Sequence, residues 1–229
     1  MFLYNFNYLI FMIPAFLLMM ATQIYVNSTY RKWSQVKSLS HLNGAQAAQT
    51  LIRREGLPNV QIEGVRGNLT DHYDPRSKTL RLSEKVYSQA SVASLAIAAH
   101  ELGHALQDAD DYYPLRFRAM LIPAVNIGSY MGWIFIFIGL ILNFPGLSWV
   151  GVAVFGLGAL FALATIPVEF NASSRAKQML SESGIIMGDD ERRGVNAVLN
   201  AAALTYVAAL FTAVMQLLYY VSLISGRRR

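Results

Sequence analysis

The chain has 229 residues, of which 54% are hydrophobic and only 14% are charged, whereas soluble domains carry about 25% charged residues. This balance favours a membrane protein. The sequence contains no Cys, which excludes disulfide scaffolds, thiolate zinc ribbons and cysteine nucleophiles. The net charge is +5, but the basic residues form no cluster typical of nucleic-acid binding, so nucleic acid is not an expected partner.

The first 30 residues carry no charge, and residues 8–26 form an apolar run long enough to cross about 30 Å of hydrocarbon. A cleaved secretory signal is the alternative interpretation. The run lacks the basic segment and the A-x-A cleavage pattern of such signals. We therefore expect residues 1–30 to be a transmembrane anchor.

The polar segment that follows, residues 31–120, shows the patterns of a small α+β domain. Residues 44–55 favour an amphipathic helix that ends before a Gly and a Pro. Three short strands are expected, at residues 60–65, 69–73 and 79–82, and an Asp-Pro-Arg-Ser turn joins the last two. Ser88 or Ser91 then caps a helix rich in Ala and Leu, which is expected to be buried.

Three more apolar runs follow, at residues 121–142, 147–166 and 201–224. The first two are separated by four uncharged residues and predict a membrane hairpin, 121–166. Residues 167–195 then form a helix and loop, and 196–229 a C-terminal membrane helix with a basic tail. The fold class is therefore mainly α with a small β-sheet (α+β), with one compact polar unit on a multi-span helical membrane anchor.

The basic residues indicate the orientation of these spans. Twelve Lys and Arg lie in residues 27–120 and four more in 167–194. Because the predicted hairpin crosses the membrane and returns, both segments are expected on the same side of the membrane. Under the positive-inside rule this side is the cytoplasm. We expect a multi-pass protein of the plasma (inner) membrane with its polar domain facing the cytoplasm, although Arg227, Arg228 and Arg229 then lie outside and depart from the rule.

The buried helix carries an H-E-x-x-H pentapeptide, His100-Glu101-Leu102-Gly103-His104. Its two imidazoles stand one helical turn apart on one face and can bind one ion, while Glu101 is positioned to act as a base on water. A pair of core histidines beside a buried glutamate is the alternative, and it is costly in an apolar helix. The pattern predicts one Zn²⁺ per chain.

A catalytic zinc ion needs three protein ligands and an open position. A metzincin would have Gly at 107 and His at 110, but the chain has Gln107 and Asp110. Asp108 follows on the same helix, and three ligands along one helix cannot surround a tetrahedral ion. A downstream glutamate is expected, and Glu169, next to the apolar run, is favoured over Glu182 and Glu191. An ion pair of Glu169 with Arg175 or Arg118 is the alternative.

The segments HELGHALQ, DHYDPRSKTLRLSE and PVEFNASSRA resemble the YugP-type family of membrane zinc metallopeptidases. That family is similar in layout to the gluzincin group of HtpX and the CAAX-prenyl endopeptidases. The resemblance implies a zincin-like domain at 31–120, with His100, His104 and Glu169 as zinc ligands and Glu101 as catalytic base. The larger group has Asp four residues after the ligand Glu, where this chain has Ser173, so Ser173 or Asn171 is expected to hydrogen-bond a ligand.

These observations predict a membrane-anchored zinc endopeptidase acting on peptides or proteins, including membrane proteins, at the cytoplasmic surface. The strand at 69–73 is a candidate edge for an extended substrate. His72 and Tyr73 on it could stabilise an oxyanion, or His72 could merely shape the turn with Asp71 and Asp74. Two alternatives remain: a site-2-type intramembrane protease, and a non-catalytic zinc-binding scaffold or quality-control adaptor.

Overall fold

The computed structural model describes residues 6–226. Within this range the chain forms seven helices and three strands, so the predicted class, mainly α with a small sheet, is confirmed. In chain order they are α1 (Phe6–Ser34), α2 (Gly44–Arg54), β1 (Gln61–Val65), β2 (His72–Asp74), β3 (Thr79–Ser83), α3 (Glu84–Ser88), α4 (Val92–Ala109), α5 (Tyr113–Ile141), α6 (Pro145–Glu182) and α7 (Asp189–Ser225).

Four of these helices, α1, α5, α6 and α7, are long and apolar enough to cross a membrane. The four predicted apolar runs fall on them. Two of the helices extend well beyond their apolar runs, because α6 continues into a polar segment up to Glu182 and α7 begins at Asp189. The tail of Arg227 to Arg229 lies outside the described residues.

The chain divides into two compact units, and the division runs through the long helices. We call them the apolar unit (Met1–Gln23, Arg116–Pro167 and Thr205–Arg229) and the polar unit (Ile24–Leu115 and Val168–Leu204). One boundary lies within α6, between Pro167 and Val168. Pro167 has no N–H for the helical ladder, so α6 is locally weakened at this boundary.

In the apolar unit, small residues bring α5 and α6 close together. A Cβ on Gly132 would lie 2.8 Å from the backbone N of Phe155, and one on Gly151 would lie 2.7 Å from the carbonyl O of Gly132. Such contacts leave no room for a side chain, as is typical of helix pairs in membranes. The predicted hairpin over residues 121–166 thus corresponds to two closely packed helices.

The polar unit contains the sheet, in the order β1, β3, β2. The central strand β3 pairs parallel with β1 and antiparallel with β2. The predicted strand at 69–73 is shorter than expected, because Gly67 and Leu69 have positive φ and the Thr70 hydroxyl donates to the carbonyl of Arg66. Residues 66–69 therefore form a bend, and only His72 and Tyr73 of the predicted strand pair with β3.

The helix α4 lies at the centre of the polar unit. Ser91 caps it by accepting from the N–H of Ser94, which selects between the two predicted caps, Ser88 and Ser91. Its small apolar residues, including Ala93, Ala96 and Ala99, are completely buried in one core with α2 and with the parts of α6 and α7 that belong to this unit. The small side chains allow these helices to pack tightly around α4.

Candidate metal centre

The two histidines of the pentapeptide lie one turn apart on α4. Their ring centroids are 4.9 Å apart and the rings are nearly perpendicular. His100 is 9% exposed and the side chain of His104 is 14% exposed. Two imidazoles at this spacing, His100 buried and His104 partly buried, can bind one ion together.

Glu169 completes the cluster from α6, two residues after Pro167, with only 2% of its surface exposed. Its Oε2 lies 3.3 Å from Nε2 of His100 and 3.5 Å from Nε2 of His104. Ligands bound to tetrahedral zinc at 2.0–2.1 Å are about 3.3 Å from one another. The three atoms thus have the chemistry and the spacing of a zinc donor set, and they all lie within 4.8 Å of one another.

The electrostatics of this cluster favour a cation. Burial alone would lower the pKa of His104, but the hydrogen bond with Glu169 and the negative charges of Glu101 and Glu169 outweigh burial and raise it. Glu101 is half-buried on α4 and thus adds a second carboxylate beside the histidines. Positive charge at this place is stabilised, whether a proton or a metal ion carries it.

A glycine within the pentapeptide allows α6 to come this close. A Cβ on Gly103 would lie 2.6 Å from the carbonyl oxygen of Ala172 and 3.1 Å from its Cα. The backbones of α4 and α6 therefore touch at this position, one turn from Glu169. The approach of the two helices brings Glu169 to the histidines, and a side chain at 103 would require the backbones of α4 and α6 to move apart.

The other ring nitrogen of each histidine, Nδ1, has a hydrogen-bond partner. The Oγ of Ser173 lies 3.2 Å from Nδ1 of His100, and the Oε1 of Gln107 lies 3.0 Å from Nδ1 of His104. Of the two expected residues, Ser173 therefore contacts a histidine directly, whereas Asn171 accepts from Gln107. This role of Gln107 was not predicted, although a polar residue three positions after His104 on a buried helix was a usable signal.

The other candidate residues have different partners. The carboxylate of Asp108 accepts from the Tyr73 hydroxyl at 2.9 Å. Glu182 is exposed and accepts from Gln178, whereas Glu191 is buried and accepts from the backbone N–H groups of Leu39 and Met187. Arg175, one of the two partners that the alternative interpretation named for Glu169, forms its ion pair with Asp110.

The candidate oxyanion residues of β2 have ordinary structural contacts. The Nδ1 of His72, an exposed side chain, lies 2.9 Å from the carbonyl of Thr70. Asp74 accepts from the backbone N–H of Arg76 and from the side chains of Ser77 and Arg81. These contacts agree with the interpretation that the motif shapes the turn.

Comparison with known proteins identifies the family of the chain. The family model described as "Putative neutral zinc metallopeptidase" matches residues 8–225. "Putative membrane protease YugP" of Bacillus subtilis (strain 168) is 43% identical over 206 residues, which cover 90% of this chain and 91% of that protein. No solved structure matches the chain. The match over nearly the whole length shows that the chain belongs to the family described as "Putative neutral zinc metallopeptidase".

Proposed function

We propose that the protein is a membrane-anchored zinc endopeptidase that hydrolyses peptide bonds at the cytoplasmic surface of the membrane. His100, His104 and Glu169 hold one zinc ion per chain, and Glu101 is the catalytic base. The convergence of two Nε2 atoms and one carboxylate oxygen, at the spacing of tetrahedral zinc ligands, carries this proposal. Three protein ligands leave a coordination position open, as catalysis requires.

Bound zinc supplies a Lewis acid that polarises the peptide carbonyl and makes water acidic enough to react near neutral pH. The carboxylate of Glu101 accepts a proton from the attacking water as the new C–O bond forms. Glu101 then gives this proton to the amine nitrogen as the C–N bond breaks, which restores the carboxylate. Hydrolysis therefore needs no covalent intermediate and no cysteine.

The edge strand β2 is the proposed docking site for the peptide substrate. β3 occupies one side of β2, and the Tyr73 hydroxyl ties β2 to Asp108 at the end of α4. An extended peptide added to the other side of β2 would run alongside the helix that bears Glu101. Pairing through main-chain groups gives weak sequence selectivity, which suits substrates of many sequences, including unfolded segments of membrane proteins.

In the proposed topology, the protein crosses the plasma membrane several times. Residues 1–30, 121–166 and 196–229 form its anchor, and residues 31–120 with 167–195 form the peptidase domain. Support for this arrangement comes from the four apolar helices and from the sixteen Lys and Arg in residues 27–120 and 167–194.

The zinc site is tested by the metal content per chain of detergent-purified wild type, Glu169→Ala and Glu182→Ala. We expect about one zinc ion in the wild type and in Glu182→Ala, and a marked loss in Glu169→Ala. Glu182 is a matched control because it is an exposed glutamate of the same helix. Full retention of zinc by Glu169→Ala would show that the third ligand is a different group.

The catalytic base is tested with Glu101→Gln, which keeps the size of the side chain but cannot accept the proton. We expect this variant to bind one zinc ion and to lose at least a hundredfold of its cleavage rate on unfolded protein substrates in lipid. Wild-type cleavage by Glu101→Gln would remove Glu101 from the mechanism. A wild type with zinc but without cleavage of any unfolded or membrane substrate would favour the scaffold alternative.

A further inference from the structure

Gln107 is a completely buried polar residue next to the proposed zinc site. Its Nε2 donates to the backbone carbonyl of Val168 at 2.7 Å and to Oδ1 of Asn171 at 3.0 Å. Its Oε1 lies 3.0 Å from Nδ1 of His104. Every polar atom of the amide thus has a partner, which is the usual condition for burying such a group.

The two acceptors fix the direction in which the amide points. Val168 and Asn171 offer only oxygen atoms to the Gln107 amide, so its NH₂ group must face them. A flipped amide would place Oε1 against these two oxygens, with no donor between them. The acceptor oxygen of Gln107 is therefore held toward His104.

We infer that Gln107 is a positioning residue that sets the tautomer of His104 and joins the two chain segments that carry the zinc ligands. Oε1 can only accept, so Nδ1 of His104 carries the proton and Nε2 is the nitrogen whose lone pair is available to bind zinc. Through the carbonyl of Val168, the same amide holds the residue that directly precedes Glu169. One side chain thus orients a ligand on α4 and a ligand on α6.

A chain of polar contacts keeps Gln107 in place. Oδ1 of Asn171 accepts from Gln107 and also from Nε of Arg175 at 2.9 Å. Arg175 in turn forms an ion pair with Asp110 just after α4. This series of contacts starts at the exposed carboxylate of Asp110 and ends at the partly buried His104, and it crosses between α4 and α6 twice. The contacts make Asn171 the second residue of the inferred device.

The inference rests on the proposed zinc site, and it is tested by zinc affinity rather than by activity. The dissociation constant for zinc is measured by competition with a chromophoric chelator for wild type, Gln107→Leu, Asn171→Leu and Asn171→Asp. We expect Gln107→Leu to bind zinc 10- to 100-fold more weakly, because no acceptor then fixes His104. Asn171→Leu should weaken binding less, since Gln107 keeps its bond to Val168.

Asn171→Asp is the conservative variant, since its carboxylate still accepts from Gln107 and Arg175, and we expect affinity close to that of the wild type. Gln178→Leu is the control, because Gln178 is an exposed glutamine on α6, the helix that also carries Asn171. The melting temperature of each metal-free variant separates a loss of folding from a loss of affinity. A purely structural role would lower that temperature and leave the affinity of the folded protein unchanged.

The possible failures are distinguishable. A wild type that binds no zinc overturns the proposed function together with the inference. A wild type that binds zinc, with unchanged affinity in folded Gln107→Leu, overturns the inference alone. Where Gln107→Leu does not fold, wild-type affinity in folded Asn171→Leu overturns it, whereas weaker binding that Asn171→Asp restores supports it.

Discussion

Asp71 is a partly buried carboxylate whose pKa is affected by the nearby Glu101. Its carboxylate accepts from the backbone N–H of Ser83 at 2.7 Å and from the Ser83 hydroxyl at 2.9 Å. Burial nevertheless raises the pKa of Asp71, and the charge of Glu101 raises it further, so that the two bonds with Ser83 do not compensate. The folded protein therefore holds this carboxylate at a cost, close to the proposed catalytic base.

Because folding raises the pKa of Asp71 above its ordinary value of 3.8, its contribution to stability is fully present below that pH and is lost as the pH rises. Asp71→Asn removes this loss, and its amide can still accept from one Ser83 donor and donate to the hydroxyl. We expect the melting temperature of Asp71→Asn to exceed that of the wild type at pH 7, by a margin that shrinks as the pH falls to 4.

Asp74→Asn is the matched control with the opposite sign. Hydrogen bonds from Arg81, Ser77 and the Arg76 backbone lower the pKa of Asp74, so Asp74 stabilises the fold above its unfolded pKa and this contribution is lost as the pH falls. Asp74→Asn should therefore be less stable than the wild type at pH 7. Equal, pH-independent changes in both variants would contradict the assigned environments.

Some contacts at the candidate site can be predicted from the sequence, and others cannot. The spacing of His100 and His104 predicts a shared ion because a helix fixes the geometry of residues four apart. The role of Gln107 depends on Val168 and Asn171, about sixty residues away, and no local pattern encodes such a contact. The sequence left Ser173 and Asn171 as alternative partners of a ligand, and the contact of Ser173 with His100 is fixed only by the tertiary structure.

At the scale of elements, the candidate site depends on the close packing of α4 against α6 at Gly103. Alanine favours an isolated helix over glycine by about 1 kcal/mol, so Gly103→Ala alone would stabilise α4. The contact with Ala172 reverses this, because the added Cβ would lie 2.6 Å from a backbone oxygen that cannot rotate away. We expect Gly103→Ala to lower the melting temperature and to weaken zinc binding by displacing Glu169.

Gly158→Ala is the control for this variant, since Gly158 also lies in a helix but a Cβ there meets nothing within 4 Å. Its melting temperature should equal or exceed that of the wild type. Normal zinc affinity and stability in Gly103→Ala would show that α4 and α6 have room to separate without disturbing the site.

Element boundaries were predicted less well than the elements themselves. The apolar run at 147–166 gives the span but not the helix, because α6 continues to Glu182 through residues whose apolar side is buried in the polar unit. The parallel pairing of β1 with β3 was not anticipated, since alternation predicts a strand and not its neighbour. Both features depend on contacts between segments that are distant in sequence.

At the scale of the whole molecule, the absence of cysteine allows the orientation to be measured without background. Phe144 follows α5 in the turn before α6 and is exposed, and the proposed orientation puts it outside the cell. We expect Phe144→Cys to react with a membrane-impermeant maleimide on intact cells. Glu182→Cys should react only after permeabilisation.

The cysteine-free wild type measures non-specific labelling, and zinc content shows that each variant keeps its site. Labelling of Glu182→Cys on intact cells, with Phe144→Cys protected, would invert the proposed topology and place the peptidase outside. Labelling of neither variant before permeabilisation would show that residues 142–146 do not reach the outer surface.

The separation of the candidate ligands along the chain has a consequence for biosynthesis. His104 and Glu169 are separated by 64 residues that include α5 and the apolar part of α6. A ribosome-bound chain that has not yet threaded this hairpin holds two imidazoles and no third ligand. In the proposed enzyme, metal loading, and with it peptidase activity, would therefore begin only after the hairpin is made, and a stalled or truncated copy would be inactive.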